Sequence, residues 1–253
     1  MLLVIDIGNT RTKWTYTDDN GQLSAMQTCL NGDIAKANFL IAPVKKAQIK
    51  KVLIANVAGE KIAQQITQLL APLPVHFVQA QAQACGLTNR YLPTLGADRW
   101  AALVAAWHIN KCTTLVVDAG TAITMDGLVY SKLDASSKDN GLFLGGTIMP
   151  GLRLMQQSLL YSTAQLDVAG GMKIDFPTNT SDAIETGCLN AVIGAIHVML
   201  NRLEAQSGTQ ASVIISGGDA DKIANATMAQ LKRVMIIQNL VLQGLVLLES
   251  EHA

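Results

Sequence analysis

The apolar residues of this chain fall into short continuous runs and spaced stripes, and their alternation predicts the order of the elements. Leu2–Thr10 reads LLVIDIGNT, an apolar run interrupted by Asp6 and followed at once by Gly8, Asn9 and Thr10. Such a run predicts a buried strand ending in a turn. RTKWTYTDD and QLSAMQTCL predict two further strands, each after a turn. KKVLIANVAG reads as a strand, EKIAQQITQLLA as an amphipathic helix, VHFVQA as a short strand, and GADRWAALVAAWHIN as a helix with Gly96 near its start. The order restarts at Thr114–Thr121, TLVVDAGT, followed by AITMDGLVY and GLFLGGTIM. Beyond it, GLRLMQQSLL, SDAIETGCLNAVIGAIHVMLNRLEAQ, DADKIANAT and LVLQGLVLLESEH predict helices, with ASVIISGG a strand and VMIIQN a short one.

Two strand–turn–strand–turn–strand units, about 110 residues apart, predict an α/β chain with a duplicated domain rather than a solenoid of short repeats. The predicted domains are residues 1–112 and 113–253, joined near Asn110–Thr113 without a Pro/Gly/Ser-rich linker. Ser131–Gly141 is polar and predicts a long exposed hairpin loop. In the long helix Ile184, Cys188, Ala191, Val192, Ala195, Ile196, Met199 and Leu200 form an apolar band, widened by Ala183 and Val198. That band is broader than one core-facing stripe needs. It fits a helix sandwiched within its own domain, or one that also forms a subunit interface.

Composition narrows the class. With 253 residues, 49% of them hydrophobic, the chain can bury one large core or two smaller ones. Only 15% are charged, which favours an oligomer. Zero net charge and the lack of any Lys/Arg run exclude a nucleic-acid footprint. Cys29, Cys85, Cys112 and Cys188 lie far apart with no metal-ligand spacing, as suits small buried residues in a reducing compartment. Met1–Ile5 lacks a basic flank, so no signal peptide is read, and no segment reads as a membrane span. These readings together predict a soluble cytoplasmic protein with no membrane partner.

Asp6 at a strand end can hold Mg²⁺, Gly8 admits a phosphate to the backbone, Asn9 and Thr10 offer donors, and Lys13 on the next strand can reach a phosphate. An ordinary hairpin turn favours the same residues. Asp118-Ala119-Gly120-Thr121-Ala122 repeats the device. Repetition of the acid weighs toward function, because a buried Asp is costly unless paired or cation-bound. Two such loops, one per half, can enclose a nucleotide. Asp98 and Arg99 beside Gly96 read either as a helix-dipole partner or as a proton acceptor next to an anion-binding guanidinium. Gly145-Gly146-Thr147-Ile148-Met149-Pro150-Gly151, with the paired glycines ending a strand, and Ser216-Gly217-Gly218-Asp219 permit close backbone approach by a ligand, or serve as plain α/β turns. The chain contains no P-loop, GxGxxG, HExxH or GxSxG motif, and His76, His108, His197 and His252 are scattered.

The order DxGNT, GxDR, DxGTA, GGxxxPG and TxxAIxxG (Thr180 to Gly187) closely resembles type III pantothenate kinase, from Leu3 to beyond Gly218. That family belongs to the acetate and sugar kinase, Hsp70 and actin superfamily. The resemblance implies two duplicated ribonuclease-H-like domains, the actin-like ATPase fold, around a central nucleotide cleft. It implies ATP-dependent phosphorylation of pantothenate to 4'-phosphopantothenate, the first step of coenzyme A biosynthesis. By the same resemblance Asp6 handles Mg²⁺, with Gly8, Asn9, Thr10, Lys13 and Thr121 around the phosphates. Asp98 is the general base, and Tyr91, Gly96 and Arg99 contact pantothenate. Asp118 is the ligand of a monovalent cation, K⁺ or NH₄⁺. Family members are homodimers whose substrate pocket borrows from the partner, and Thr180 resembles the residue that crosses over. LIANVAG, with Asn56 and Val57, stands where the family usually has a Ser-Ser-Val segment. Two rivals share the motifs: an accessory protein of transcriptional control related to this kinase, and a superfamily kinase acting on a sugar or another alcohol.

Overall fold

The structure, a computed structural model, describes residues 1–18, 21–36, 48–91, 94–131, 140–162, 170–228 and 231–252. Most of the expected 131–141 loop lies outside the described residues. The chain divides into two compact units: Met1–Asn110 with Asn239–Ala253, and Lys111–Leu133 with Gly141–Gln238.

In the first unit β1 (Leu2–Ile7), β2 (Arg11–Thr17) and β3 (Gln27–Leu30) form an antiparallel meander. β4 (Lys51–Asn56) and then β5 (Val75–Phe77) add in parallel on the far side of β1, giving the order β3-β2-β1-β4-β5. β1 is central and covered on both faces, which is why its sequence is a continuous apolar run rather than an alternation. Helix α1 (Glu60–Leu70) buries Ile66 and Leu70. A short hairpin of β6 (Gln83–Ala84) and β7 (Leu87–Asn89) precedes α2 (Ala97–Asn110). Periodicity missed this hairpin, because strands of two and three residues carry none.

The second unit repeats the plan. β8 (Thr114–Ala119), β9 (Ala122–Tyr130) and β10 (Gly141–Pro150) form the meander, and β11 (Ser212–Ser216) and β12 (Val234–Ile236) extend it in parallel. Its order, β10-β9-β8-β11-β12, matches the first unit strand for strand. Helices α3 (Leu152–Ser162), α4 (Thr180–Ser207) and α5 (Ala220–Thr227) complete it. By length and composition α4 could cross a membrane, contrary to the reading that no segment could. Its Ile184, Leu189, Val192, Ile196 and Leu203 instead pack in the unit's own core. Ala183, Ala191 and Val198 lie on its exposed side.

One element falls elsewhere than a split at 112/113 would put it. Helix α6 (Leu240–His252) belongs to the first unit, where it packs on α2, β1 and β4. Its Gly244 allows this, since a methyl there would collide with the Ala101 carbonyl of α2. α2 is therefore apolar nearly all round, with Trp100, Leu103, Val104 and Trp107 buried. Lys51 pairs with Glu249 at 2.6 Å, and the Cys85 amide donates to Glu251 Oε2 at 2.8 Å. Burial, aided by Glu251, pushes the Cys85 thiol up to about 12, so it stays protonated.

Candidate active site

The β1–β2 turn of the first unit is Gly8-Asn9-Thr10, closed by the Gly8 amide donating to the Arg11 carbonyl at 3.0 Å. Asp6 is buried at 8% exposure and lies opposite Lys13 in the register, so both side chains share one face of the sheet. Asn9 is exposed at the tip. The turn is braced by Asn31, which the sequence reading did not single out. Asn31 Nδ2 donates to the Gly8 carbonyl at 2.7 Å, its amide donates to the Thr10 carbonyl at 3.0 Å, and its Oδ1 accepts from Thr12 Oγ1 at 2.9 Å. An Asn just after a strand is a common turn residue, so nothing local marked it as the brace of a turn over 20 positions earlier.

The α2 N-terminus gathers a second set. The Asp98 carboxylate turns back on its own helix and accepts the Arg99 amide at 2.7 Å. A methyl at Gly96 would sit 2.6 Å from Asp98 Oδ1 and 3.3 Å from Val57, so the glycine makes room for the acid. Burial pushes the Asp98 carboxyl above the ordinary aspartate value, and the Arg99 amide and guanidinium offset part of that rise. The Arg99 guanidinium lies over the Tyr91 ring, 5.3 Å from its centroid. Tyr91 is in turn anchored through its amide to Asn89 Oδ1 at 2.9 Å. A half-buried carboxylate and a ring-stacked cation thus stand side by side. Asn56 spends its side chain on the chain itself, accepting the Ala58 amide and donating to the Gly59 carbonyl.

In the second unit Asp118 lies beside Thr124 on β9 and Ser216 on β11 in the register, so three oxygen-bearing side chains share a face. The turn after it is two residues, Gly120-Thr121, closed by the Gly120 amide on the Ala122 carbonyl at 3.1 Å. Backbone holds this turn from two directions. The Gly151 amide donates to the Thr121 carbonyl at 2.9 Å, and the Asp219 amide donates to the Ala119 carbonyl at 3.1 Å. A methyl on Gly151 would lie 2.6 Å from the Thr121 oxygen, and one on Gly217 would collide with Ala119. Gly217 also has φ near +99°, a conformation glycine alone adopts cheaply. The DxGTA, GGxxxPG and SGGD motifs therefore meet at one turn.

Gly145 and Gly146 do not end their strand, as expected from sequence. They lie inside β10 at a bulge, where Gly146 leaves space for the buried Asp126 of β9. A Cβ there would collide with that carboxylate.

Thr180 opens α4 and is exposed. The N-cap is Asn179, whose side-chain oxygen accepts the Asp182 amide at 2.9 Å. Asp182 accepts the Met172 amide at 2.7 Å and Asn179 Nδ2 at 2.6 Å, and these bonds hold its carboxyl below the ordinary value. A groove of about 690 Å³ runs along this end, lined by Met155, Leu159, Pro177, Thr180, Ile184 and Ala191 among others. Phe176 beside it is 91% exposed. Among the described residues no three His, Cys, Asp or Glu side chains converge as a metal cage. Asp6 at a glycine turn instead fits a divalent ion held chiefly by phosphate and water.

Paired meanders, each carrying an acid near the end of its central strand before a glycine turn, define the actin-like fold. A protein from Sinorhizobium meliloti described as a 2-dehydro-3-deoxygalactonokinase shares that fold at TM-score 0.55 and 13% identity, over 97% of each chain. A protein from Campylobacter jejuni described as a Baf family transcriptional activator shares it at TM-score 0.61 and 20% identity, over 99% of this chain and 100% of that one. The sequence profile of type III pantothenate kinase matches residues 2–202. The type III pantothenate kinase of Methylobacillus flagellatus is 38% identical over 252 residues, 96% of each chain. This chain belongs to the type III pantothenate kinase family. Family membership carries with it the use of ATP with a divalent metal.

Proposed function

We propose that this chain transfers the γ-phosphoryl group of ATP to the primary hydroxyl of pantothenate, making 4'-phosphopantothenate, the first step of coenzyme A biosynthesis. Family membership over nearly the whole chain supports the reaction. The observation that carries the mechanism is the α2 N-terminus, where a carboxylate raised by burial sits beside a cation stacked on Tyr91. Asp98 accepts the hydroxyl proton as the alcohol oxygen bonds to phosphorus, and the electron pair of the breaking P–O bond leaves on ADP. Arg99, steadied by Tyr91, pairs with the pantothenate carboxylate, and Gly96 lets the substrate approach the backbone. Gly8, Asn9 and Thr10 present donors to the phosphates, with Lys13 and Thr121 beside them. Mg²⁺, held by Asp6, supplies charge neutralisation on the phosphates when bound. Asp118, with Thr124 and Ser216 on the same face, holds K⁺ or NH₄⁺.

The working form in this reading is a cytoplasmic homodimer. The α4 groove with the exposed Phe176 beside it, and the exposed Val198 farther along α4, form its interface, and Thr180 completes the partner's pocket. The four cysteines are free thiols, as a reducing compartment requires. The domain division proposed for function follows the units, with 239–253 in the first.

The test is ADP release with pantothenate, against sugars and small alcohols, in K⁺ and then Na⁺. Pantothenate-dependent release that needs K⁺ is the expected result and disfavours both an accessory binding protein and a kinase for another alcohol. No turnover with pantothenate in K⁺ sinks the reading.

A further inference from the structure

Glu185, in the second turn of α4, has a side chain only 7% exposed, and its two oxygens serve two different helices. Oε2 accepts Nε2 of Gln156, on α3, at 2.7 Å. Oε1 lies 2.6 Å from Nζ of Lys222, on α5, in an ion pair whose angle is not that of a hydrogen bond. A buried carboxylate is expensive, and a core in need only of cohesion is served as well by apolar packing. The placement gives this one a different use. α3 begins just after Gly151, whose amide grips the Thr121 carbonyl. α5 begins just after Asp219, whose amide grips the Ala119 carbonyl. Lys222 is the third residue of α5 and Gln156 the fifth of α3, so each contact lies within about a turn and a half of the amide that its helix delivers.

We infer that Glu185 is a positioning residue: by holding α3 and α5 to α4 at once, it fixes the two amides that clamp the Ala119–Thr121 turn and so sets the affinity of that turn for nucleotide. The inference rests on the reading of this turn as part of the ATP site. A second observation ties the same charges to the loop. Burial raises the Asp219 carboxyl above its ordinary value, with Lys222 lowering it and Glu185 raising it, so the loop acid feels both partners.

The test uses the full chain with Glu185→Gln, Lys222→Met and Gln156→Leu, read by calorimetric titration with ADP and by steady-state kinetics. A loss of one clamp partner is expected to weaken ADP binding and raise KM for ATP about tenfold, with KM for pantothenate within about twofold. Lys222→Arg is expected to keep wild-type values. Should Glu185→Gln fail to fold, Lys222→Met and Gln156→Leu carry the test, since each leaves the buried acid one partner. A lower melting temperature with ADP affinity unchanged overturns the inference and leaves Glu185 a stabilising residue only. If the wild type binds ADP tightly but ignores pantothenate, the substrate reading fails, while the Glu185 inference still stands or falls on ADP affinity. If the wild type binds no ADP, both fall.

Discussion

The two units solve one problem in two ways. Each carries an acid one residue before the end of its central strand and must hold a glycine turn still just beyond it. In the first unit the turn has three residues and is braced by Asn31, whose side chain bonds the Gly8 carbonyl and the Thr12 hydroxyl while its backbone amide bonds the Thr10 carbonyl. In the second the turn has two residues and is braced by backbone, through the Gly151 and Asp219 amides, with Gly151 and Gly217 packed against it. A side-chain brace tolerates change in stages, because each lost hydrogen bond costs about 1 kcal/mol. A glycine-packed turn has no such tolerance, because one methyl group displaces the backbone itself. Duplication preserved the strand order and the acid while the means of support diverged.

The largest expected effect separates chemistry from support. Asp98→Asn should lower kcat by about 10²–10⁴-fold with KM for ATP little changed, as removal of a general base requires. Burial raises the Asp98 carboxyl in the folded state, so its charged form costs stability as pH rises above the ordinary aspartate value. The Asn variant should therefore melt no lower than wild type near neutral pH. The same shift places the acid limb of kcat/KM above the ordinary aspartate range, since the protonated carboxyl cannot accept the substrate proton. An acid limb at or below that range would disprove the assignment.

Next in size, Gly217→Ala should destabilise the second unit by about 2–4 kcal/mol and abolish nucleotide binding, while Gly218→Ala, with open space and no positive φ, should do neither. Equal tolerance at both glycines would erase the contrast between the units. Asn31→Ala should cost about 1–2 kcal/mol in denaturant unfolding and raise KM for ATP several-fold without abolishing turnover. Complete loss would mean that the first turn is as unforgiving as the second. The smallest effect belongs to the partly exposed ion pair of the first unit. Lys51→Met should change stability by less than about 1 kcal/mol, as partly exposed ion pairs generally do.

The strand order of both meanders was legible because continuous apolar runs, turn residues and a repeated acid are local signals. So were the residues that meet at each turn, from Asp6 and Gly8 to Asp118 and Thr121. Three things were not. The braces Asn31 and Glu185 act across 20 or more positions, and nothing in their neighbours announces the partner. Gly146 read as a turn residue because its reason, the buried Asp126 opposite, belongs to another strand. Helix α6 was placed with the half it follows in sequence, because an apolar helix does not state which core it enters.

That last placement governs the order of assembly. During synthesis the whole second unit emerges before α6, so the groove on α2 that α6 fills stays open while its neighbour folds. The apolar face of α2, with Trp100 and Trp107, is then the surface most in need of shielding in the nascent chain. A stalled chain ending at Gln238 should accordingly show a protease-resistant second unit beside a protease-sensitive first one. Resistance of both would mean that α6 is an ornament rather than a keystone.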